Sequence, residues 1–224
     1  MSNQARSELD AIVVALNGSV AGLSIFAGTD TDTLPLADST SLLADLAVVV
    51  GGATTAAGVR AAAQTWFDDP FGFDAAVYTG STNSLNPVEV SPGENVAMNL
   101  RANDPVFRDL MMNTALAALA ADPAIGFDAT TQNELLLSSG EALLATQDAL
   151  SAVRGELGFA QSRIDQAQAR NAATSAGLQA SRTTLLEADP FETAIRLEDA
   201  QFRLESLYQL TARTSQLSLV NFLR

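Results

Sequence analysis

The chain has no cysteine, no histidine and no lysine; all 12 of its basic residues are arginines. Each absence removes a class of chemistry. Without Cys there are no disulfides and no thiol nucleophile, and stability rests on packing alone. Without His there is no imidazole base, and with neither residue no nitrogen or sulfur metal site. Without Lys there is no Schiff-base amine. Only carboxylates, hydroxyls and Arg remain for a reaction, so the residues argue against an enzyme and imply neither a cofactor nor a metal. Aromatics are scarce at 6%, while apolar residues reach 47%, much of it Ala, the profile of helices packed closely through small side chains. Long hydrophobic runs are missing too. The most apolar stretch, Leu42 to Val50, is short and carries Asp45, so no membrane span is expected. The start, Met1-Ser2-Asn3-Gln4, has no signal-peptide core. The expectation is a protein that is cytosolic or exported by a route that cuts no leader.

Positive charge is the other shortage. The net charge is -14, made up of -3 over residues 1–37, -8 over 38–128 and -3 over 129–224, where eleven acids and eight Arg mix signs along the helices. The middle is therefore an acidic, solvated part. Nucleic acid is an unsuitable partner, because binding it needs clustered Lys and Arg.

What the chain does have is a long heptad seam. Steps of seven from Leu136 give Leu143, Leu150, Leu157, Ile164, Asn171, Leu178 and Leu185, apolar except for Asn171. Three residues on from each lie Ser139, Thr146, Val153, Ala160, Ala167, Thr174 and Ser181, all small or β-branched. This pattern marks a helix that packs on other helices. At ~1.5 Å per residue such a helix reaches roughly 75 Å, the length of a rod or stalk. The seam fits either an ordinary helical bundle or an assembly rod whose partner helices come from elsewhere. Asn171 leans toward the second, since a polar seam residue costs stability and is kept where it sets register.

Taken in order, residues 2–17 read as a short amphipathic helix with Leu9, Ile12, Val13 and Leu16 on one face, ended by Asn17-Gly18. Gly18 to Pro35 reads as a loop with one short strand near Ile25-Phe26. Asp38-Ser39-Thr40 caps a helix to about Val50, and an Ala-rich helix follows over Thr54 to Phe67, stopped by Asp68-Asp69-Pro70. Val88 and Val90, then Val96, Met98 and Leu100, alternate with polar residues around Ser91-Pro92-Gly93-Glu94, a β-hairpin on a type II turn. Ala76-Val77-Tyr78 is the candidate third strand. Asp104-Pro105 opens a helix to about Ala121, and residues 122–130 form a hinge into the long helix, which is expected to end at Ala188. Asp189-Pro190-Phe191-Glu192 then starts a last helix, with Asp189 as cap and Glu192 reaching back to it. That helix carries Leu197, Ala200, Leu204, Leu207 and Leu210 on one side, with Ile195 and Phe202 beside them, and ends in Leu217, Leu219, Val220, Phe222 and Leu223. So apolar an end requires a partner. The fold class is mainly α with a small β part: long C-terminal coiled-coil-like helices plus a mixed α/β middle domain containing the hairpin.

Smaller constellations carry less. Asp30-Thr31-Asp32 lacks the Gly and Glu of a calcium loop and reads as a solvated turn. Asp68-Asp69 ahead of Pro70 reads as a helix stop rather than a catalytic pair. Trp66, Phe67, Phe71 and Phe73 read as core rather than as an aromatic ligand patch. The arginines Arg154, Arg163, Arg170, Arg182, Arg196, Arg203 and Arg213 form either a solvated salt-bridged face or inter-subunit pairs.

The long seam, the break and the closing Ser218-Leu219-Val220-Asn221-Phe222-Leu223-Arg224 resemble the flagellin superfamily. Glu187-Ala188-Asp189-Pro190-Phe191-Glu192-Thr193-Ala194 is similar to one branch, the hook-associated protein 3 or hook–filament junction proteins in their alphaproteobacterial form. Leu16-Asn17-Gly18-Ser19-Val20-Ala21-Gly22 and Phe26-Ala27-Gly28-Thr29 resemble the same branch where its first rod helix meets the middle domain. The resemblance implies a structural role: subunits pass unfolded through the flagellar export channel and assemble at the hook tip. The implied partners are copies of the chain, neighbouring axial proteins (hook-associated protein 1 and flagellin) and an export chaperone. It also implies an extracellular place in the flagellum. Family members begin with two N-terminal helical segments, of which only residues 2–17 have a counterpart here. The implied organisation is a remnant N-terminal rod helix (1–18), an acidic middle domain (19–128), a long rod helix (129–188) and an assembly helix (189–224). The implied assembly interface is Leu136, Leu143, Leu150, Leu157, Ile164, Asn171, Leu178, Leu185, Leu197, Leu204, Leu207, Leu217, Phe222 and Leu223.

Overall fold

The computed structural model describes residues 2–187 and 189–222, with side chains through residue 216. The fold is mainly α with two small antiparallel hairpins, and the chain divides into two compact units, Met1–Gln168 and Ala169–Arg224.

The first unit is built around α5 (Pro105–Leu119). From Met111 to Leu116 every side chain of this helix is buried, and Ala118, Leu119 and the following Ala120 are too. A stretch of helix buried on every side must be enclosed by other elements. The enclosing elements are α1 (Ser2–Leu16), α2 (Ser39–Val50), α3 (Ala56–Asp68) and the first part of α6 (Ala129–Leu186). α1 contributes Leu9, Val13 and Leu16 to the core, α2 contributes Leu42, Leu46 and Val50, and α3 contributes Val59, Ala63 and Phe67. Phe67 stacks on Phe73 of the one-turn α4 (Phe73–Ala76) with ring centroids 4.8 Å apart, and Trp66 stands edge-on to both. Phe71, grouped with them in the sequence, is instead exposed on the turn where its N–H donates to Asp69 Oδ1.

Helix starts follow the side chains available to them. Asp38 accepts from the N–H of Thr40 and Ser41, and Thr55 from that of Gly58, which satisfies donors a first turn leaves open. Asp104 occupies the cap position before Pro105 but makes no capping bond. Its carboxylate accepts from the Arg101 N–H and pairs with the Arg101 guanidinium at 3.3 Å. Asp128 caps α6 through the Thr131 N–H.

The β structure departs from the sequence expectation in two places. No strand forms at Ile25-Phe26; β1 (Ser19–Val20) and β2 (Leu23–Ser24) make a tight hairpin there, turned by Ala21 and Gly22, both at positive φ. Residues 76–78 do not join the larger hairpin. Ala76 closes α4, and Tyr78 instead bridges Leu36, a segment already held by Asn17 through two hydrogen bonds to the Leu36 backbone. The larger hairpin, β3 (Val88–Ser91) with β4 (Glu94–Val96), is two-stranded, and Gly93 at φ 77° supplies its turn. Its cover is partial: Val96 is buried, while Val88, its cross-strand partner on the same face, and Met98 beyond β4 are exposed.

In the second unit, α7 (Pro190–Phe222) opens as the sequence suggests at Asp189, whose carboxylate accepts from the N–H of Phe191 and Glu192. Glu192 does not reach back to the cap; it pairs with Arg196 one turn on, at 2.6 Å. The expected end of the long helix at Ala188 lies outside the described residues.

Candidate assembly surface

The heptad seam divides by environment along α6. Leu136 and Leu150 pack partly buried against the core of the first unit, and Leu143 sits beside Ala5 and Ile12 of α1 and Leu110 of α5. Leu157 lies next to Met98 and Leu100, and Ile164 is partly covered. The side chains turned furthest inward are the small ones of the same repeat: Ser139, Thr146 and Ala167 are buried, and Val153 and Ala160 partly so. The small residues thus face the first unit, and the leucines flank them. Glu94 adds an ion pair to Arg163 at 3.6 Å.

From residue 169 onward the picture changes. Asn171, Leu178 and Leu185 are exposed, as are Leu197, Leu204 and Leu207 of α7. Among the described side chains from Ala169 to Gln216 none is buried, and Ser206 alone is partly covered. The side chains of Leu217 and Phe222, and Leu223 altogether, lie outside the described residues. Folding of this unit as it stands leaves eleven large apolar side chains in water, from Leu178 to Leu210. Monomeric proteins rarely carry so continuous an apolar surface without an interaction that uses it.

The geometry of α7 has a feature that the heptad reading did not separate. At about 100° per residue, Leu197, Ala200, Leu204, Leu207 and Tyr208 share one aliphatic face. Phe191, Ile195 and Phe202 form a second, aromatic ridge on nearly the opposite side. Charged strips divide the two. One holds Glu192–Arg196 and Asp199–Arg203, paired at 2.6 and 2.8 Å; the other holds Glu198 and Glu205. The signal was present in the sequence as the offset of Phe191, Ile195 and Phe202 from the leucines, but only uniform exposure shows that both faces are open. Of the arginine series, Arg196 and Arg203 thus pair within their own helix and Arg163 across to the hairpin.

A polar cleft of about 320 Å³ between α3, α5 and α6 is the other place where side chains converge. Arg60 Nη2 donates to Asn113 Oδ1 at 2.9 Å, and Asn113 Nδ2 to the Asp109 carbonyl. Burial raises the Asp109 carboxyl above its ordinary range and Asp68 adds to this, while Arg108 and Arg60 oppose it. The cleft holds no nucleophile paired with a base, and its floor is alanine (Ala142, Ala145, Ala149). Among the described residues no group of acidic side chains is arranged to hold a metal, and no helix is long and apolar enough to cross a membrane.

Residues 141–223 match the family model for the bacterial flagellin C-terminal helical region, which takes in the seam from Leu143 onward and α7. No curated protein and no solved structure matches the chain. The match supports a flagellin-type carboxyl-terminal region, a structural subunit of the flagellum and self-assembly in an extracellular filamentous structure.

Proposed function

We propose that the chain is a structural subunit of the bacterial flagellum placed at the hook–filament junction, where it joins the two through its terminal helices. The observation that carries this reading is the open apolar surface of α7 and outer α6 inside a flagellin-type carboxyl-terminal region. An adaptor between two helical tubes must present apolar helix faces that are uncovered until neighbours arrive, because association draws on apolar area removed from water at that moment. Hook-associated protein 1 on one side, flagellin on the other and a transient export chaperone are the partners of this reading. Outer α6 and α7 are the assembly elements, and the acidic first unit is an outward, solvated part. The preference for the junction over the filament rests on the segment from Glu187 to Ala194.

Deleting the gene separates the readings. Filament protein shed as monomer into the medium, with hooks intact, is expected for a junction subunit. Loss of the filament protein itself would make the chain a flagellin. Unaltered motility and intact filaments would leave a non-flagellar helical binding module.

A further inference from the structure

Between Ser151 and Gln168, α6 is covered along one stripe. Val153, Ala160, Arg163, Ile164 and Ala167 are the side chains of this stretch that are not exposed, and Ala167 keeps only 1% of its surface. At about 100° per residue the five fall within about 100° of the helix circumference, the width that a single neighbour covers.

The neighbour is the β3–β4 hairpin. Ala97, Met98, Asn99 and Leu100 stand against Val153, Glu156, Leu157 and Ala160, with a gap of about 90 Å³ between them. Glu94 meets Arg163 about one turn further along the helix. Residue numbers fall along the hairpin as they rise along α6, so the β4 leg runs antiparallel to the helix. Extended chain from Glu94 to Leu100 spans up to about 20 Å, and Val153 to Arg163 takes about 15 Å of helix, so one leg is long enough. Beyond Glu94 the leg turns back through Pro92 and Gly93, toward the position of Ala167.

The hairpin is tied down at its feet. The Arg101 guanidinium donates to the Thr82 carbonyl, the Thr29 N–H to the Asn83 carbonyl at 3.0 Å, and the Ala102 N–H to the Phe26 carbonyl at 2.9 Å. Between those feet it has two strands, a number that is marginal in water without a surface to lie on. Lifting its tip breaks the contact with α6 and leaves the feet in place.

We propose that the β3–β4 hairpin is a strap, hinged at residues 82–83 and 101–102, that lies on the 153–167 stripe of α6 and closes it. The stripe has the heptad spacing of a helix–helix contact, and the strap occupies it where a helix would otherwise pack. Lifted, the strap frees Val153, Leu157, Ala160, Ile164 and Ala167, so that the open part of the seam begins at Val153 instead of past Ala167. This device is separate from the flagellar reading and stands or falls without it.

The chain has no cysteine, so an introduced thiol is unique. Ala167→Cys is placed in the full-length chain and its alkylation by iodoacetamide is followed by mass spectrometry. Gln161→Cys, exposed on the other side of the same stretch, is the reference. The Ala167→Cys thiol is expected to react at least about tenfold more slowly than the reference. Adding Val96→Asp, or replacing residues 86–98 by a Gly-Ser linker of equal length that spares both feet, is expected to raise its rate about tenfold or more. The reference rate and the urea midpoint reported by Trp66 stay unchanged. A thiol at 167 as reactive as the reference in the otherwise unaltered chain overturns the strap, because the stripe is then not closed. A slow thiol that stays slow in the linker chain, with the Trp66 midpoint intact, overturns it as well, because something else covers the stripe. If the linker chain does not fold, Val96→Asp decides on the same two readouts.

Discussion

Replacing Leu197, Leu204 and Leu207 together by Ala tests the assembly surface with the least disturbance of the monomer. Ala is the best helix former, so helix propensity does not fall, and none of the three side chains supports the folded core. Their exposures, 59%, 53% and 63%, set how much area is left to bury on association. Each Leu→Ala change removes about three carbons, at about 0.8 kcal/mol per fully buried methylene. Scaled by the exposed fraction this is roughly 1.4 kcal/mol per residue, or about 4 kcal/mol for the triple variant if the sites add. At about 1.4 kcal/mol per tenfold, the concentration at which the chain associates should rise on the order of a thousandfold. Sedimentation velocity across a dilution series reads this directly, with circular dichroism confirming unchanged helix content. A shift of less than about tenfold, with helix content intact, would refute the assignment of that face to the interface.

Five further outcomes follow from the first unit. Phe67→Ala removes a ring that is buried and stacked on Phe73 and should cost about 3–5 kcal/mol, lowering the urea midpoint reported by the single tryptophan, Trp66. Ser139 Oγ is buried and makes no hydrogen bond, so Ser139→Ala should stabilise by about 1 kcal/mol on the same urea curve; destabilisation would mean the hydroxyl has a partner. Gly28 sits at φ 62°, and an added Cβ would lie 2.4 Å from the Asn83 carbonyl oxygen, whereas Gly22 at φ 82° faces open space; Gly28→Ala should therefore lower the melting temperature much more than Gly22→Ala. The carboxyls of Asp38 and Asp128 are held below their ordinary range, chiefly by the backbone N–H groups of Ser41 and Thr131. Their contribution is complete above the unfolded carboxylate pKa and is lost as pH falls through the folded value, so Asp38→Asn/Asp128→Asn should flatten the acid limb of a stability–pH curve. Asp109 has the opposite sign: its carboxyl is raised by burial, so Asp109→Asn should stabilise near neutral pH, the gain fading as the solution is made acid.

The helices were legible because their signals are local. Asp38 and Asp189 cap where the sequence places caps, and Asn17-Gly18 ends α1 at Leu16. Gly93 turns the larger hairpin for the same reason, since its φ of 77° is a property of one residue. The misses have two causes. Asp104 turns to Arg101 and Glu192 to Arg196, local partners three and four residues away that the cap rule does not weigh, while Tyr78 pairs with the distant Leu36 rather than extending a sheet. α5 was legible from Asp104-Pro105 at its start rather than from periodicity, because from Met111 to Leu116 it is buried on every side and offers no exposed polar stripe to contrast with an apolar one.

For the candidate surface, heptad spacing located the helices and their apolar content but not which stretch is covered. Leu136 and Leu185 occupy equivalent positions in the repeat, yet one packs on the core and the other stands in water. From the sequence alone came the absence of thiol, imidazole and amine chemistry, the long seam, and the helix starts and stops, since composition and spacing depend on neighbours a few residues away. Which seam residues remain open, and that α7 offers two faces rather than one, depended on what folds back over each stretch. Burial is a relation between segments distant in the chain, and only the tertiary structure decides it.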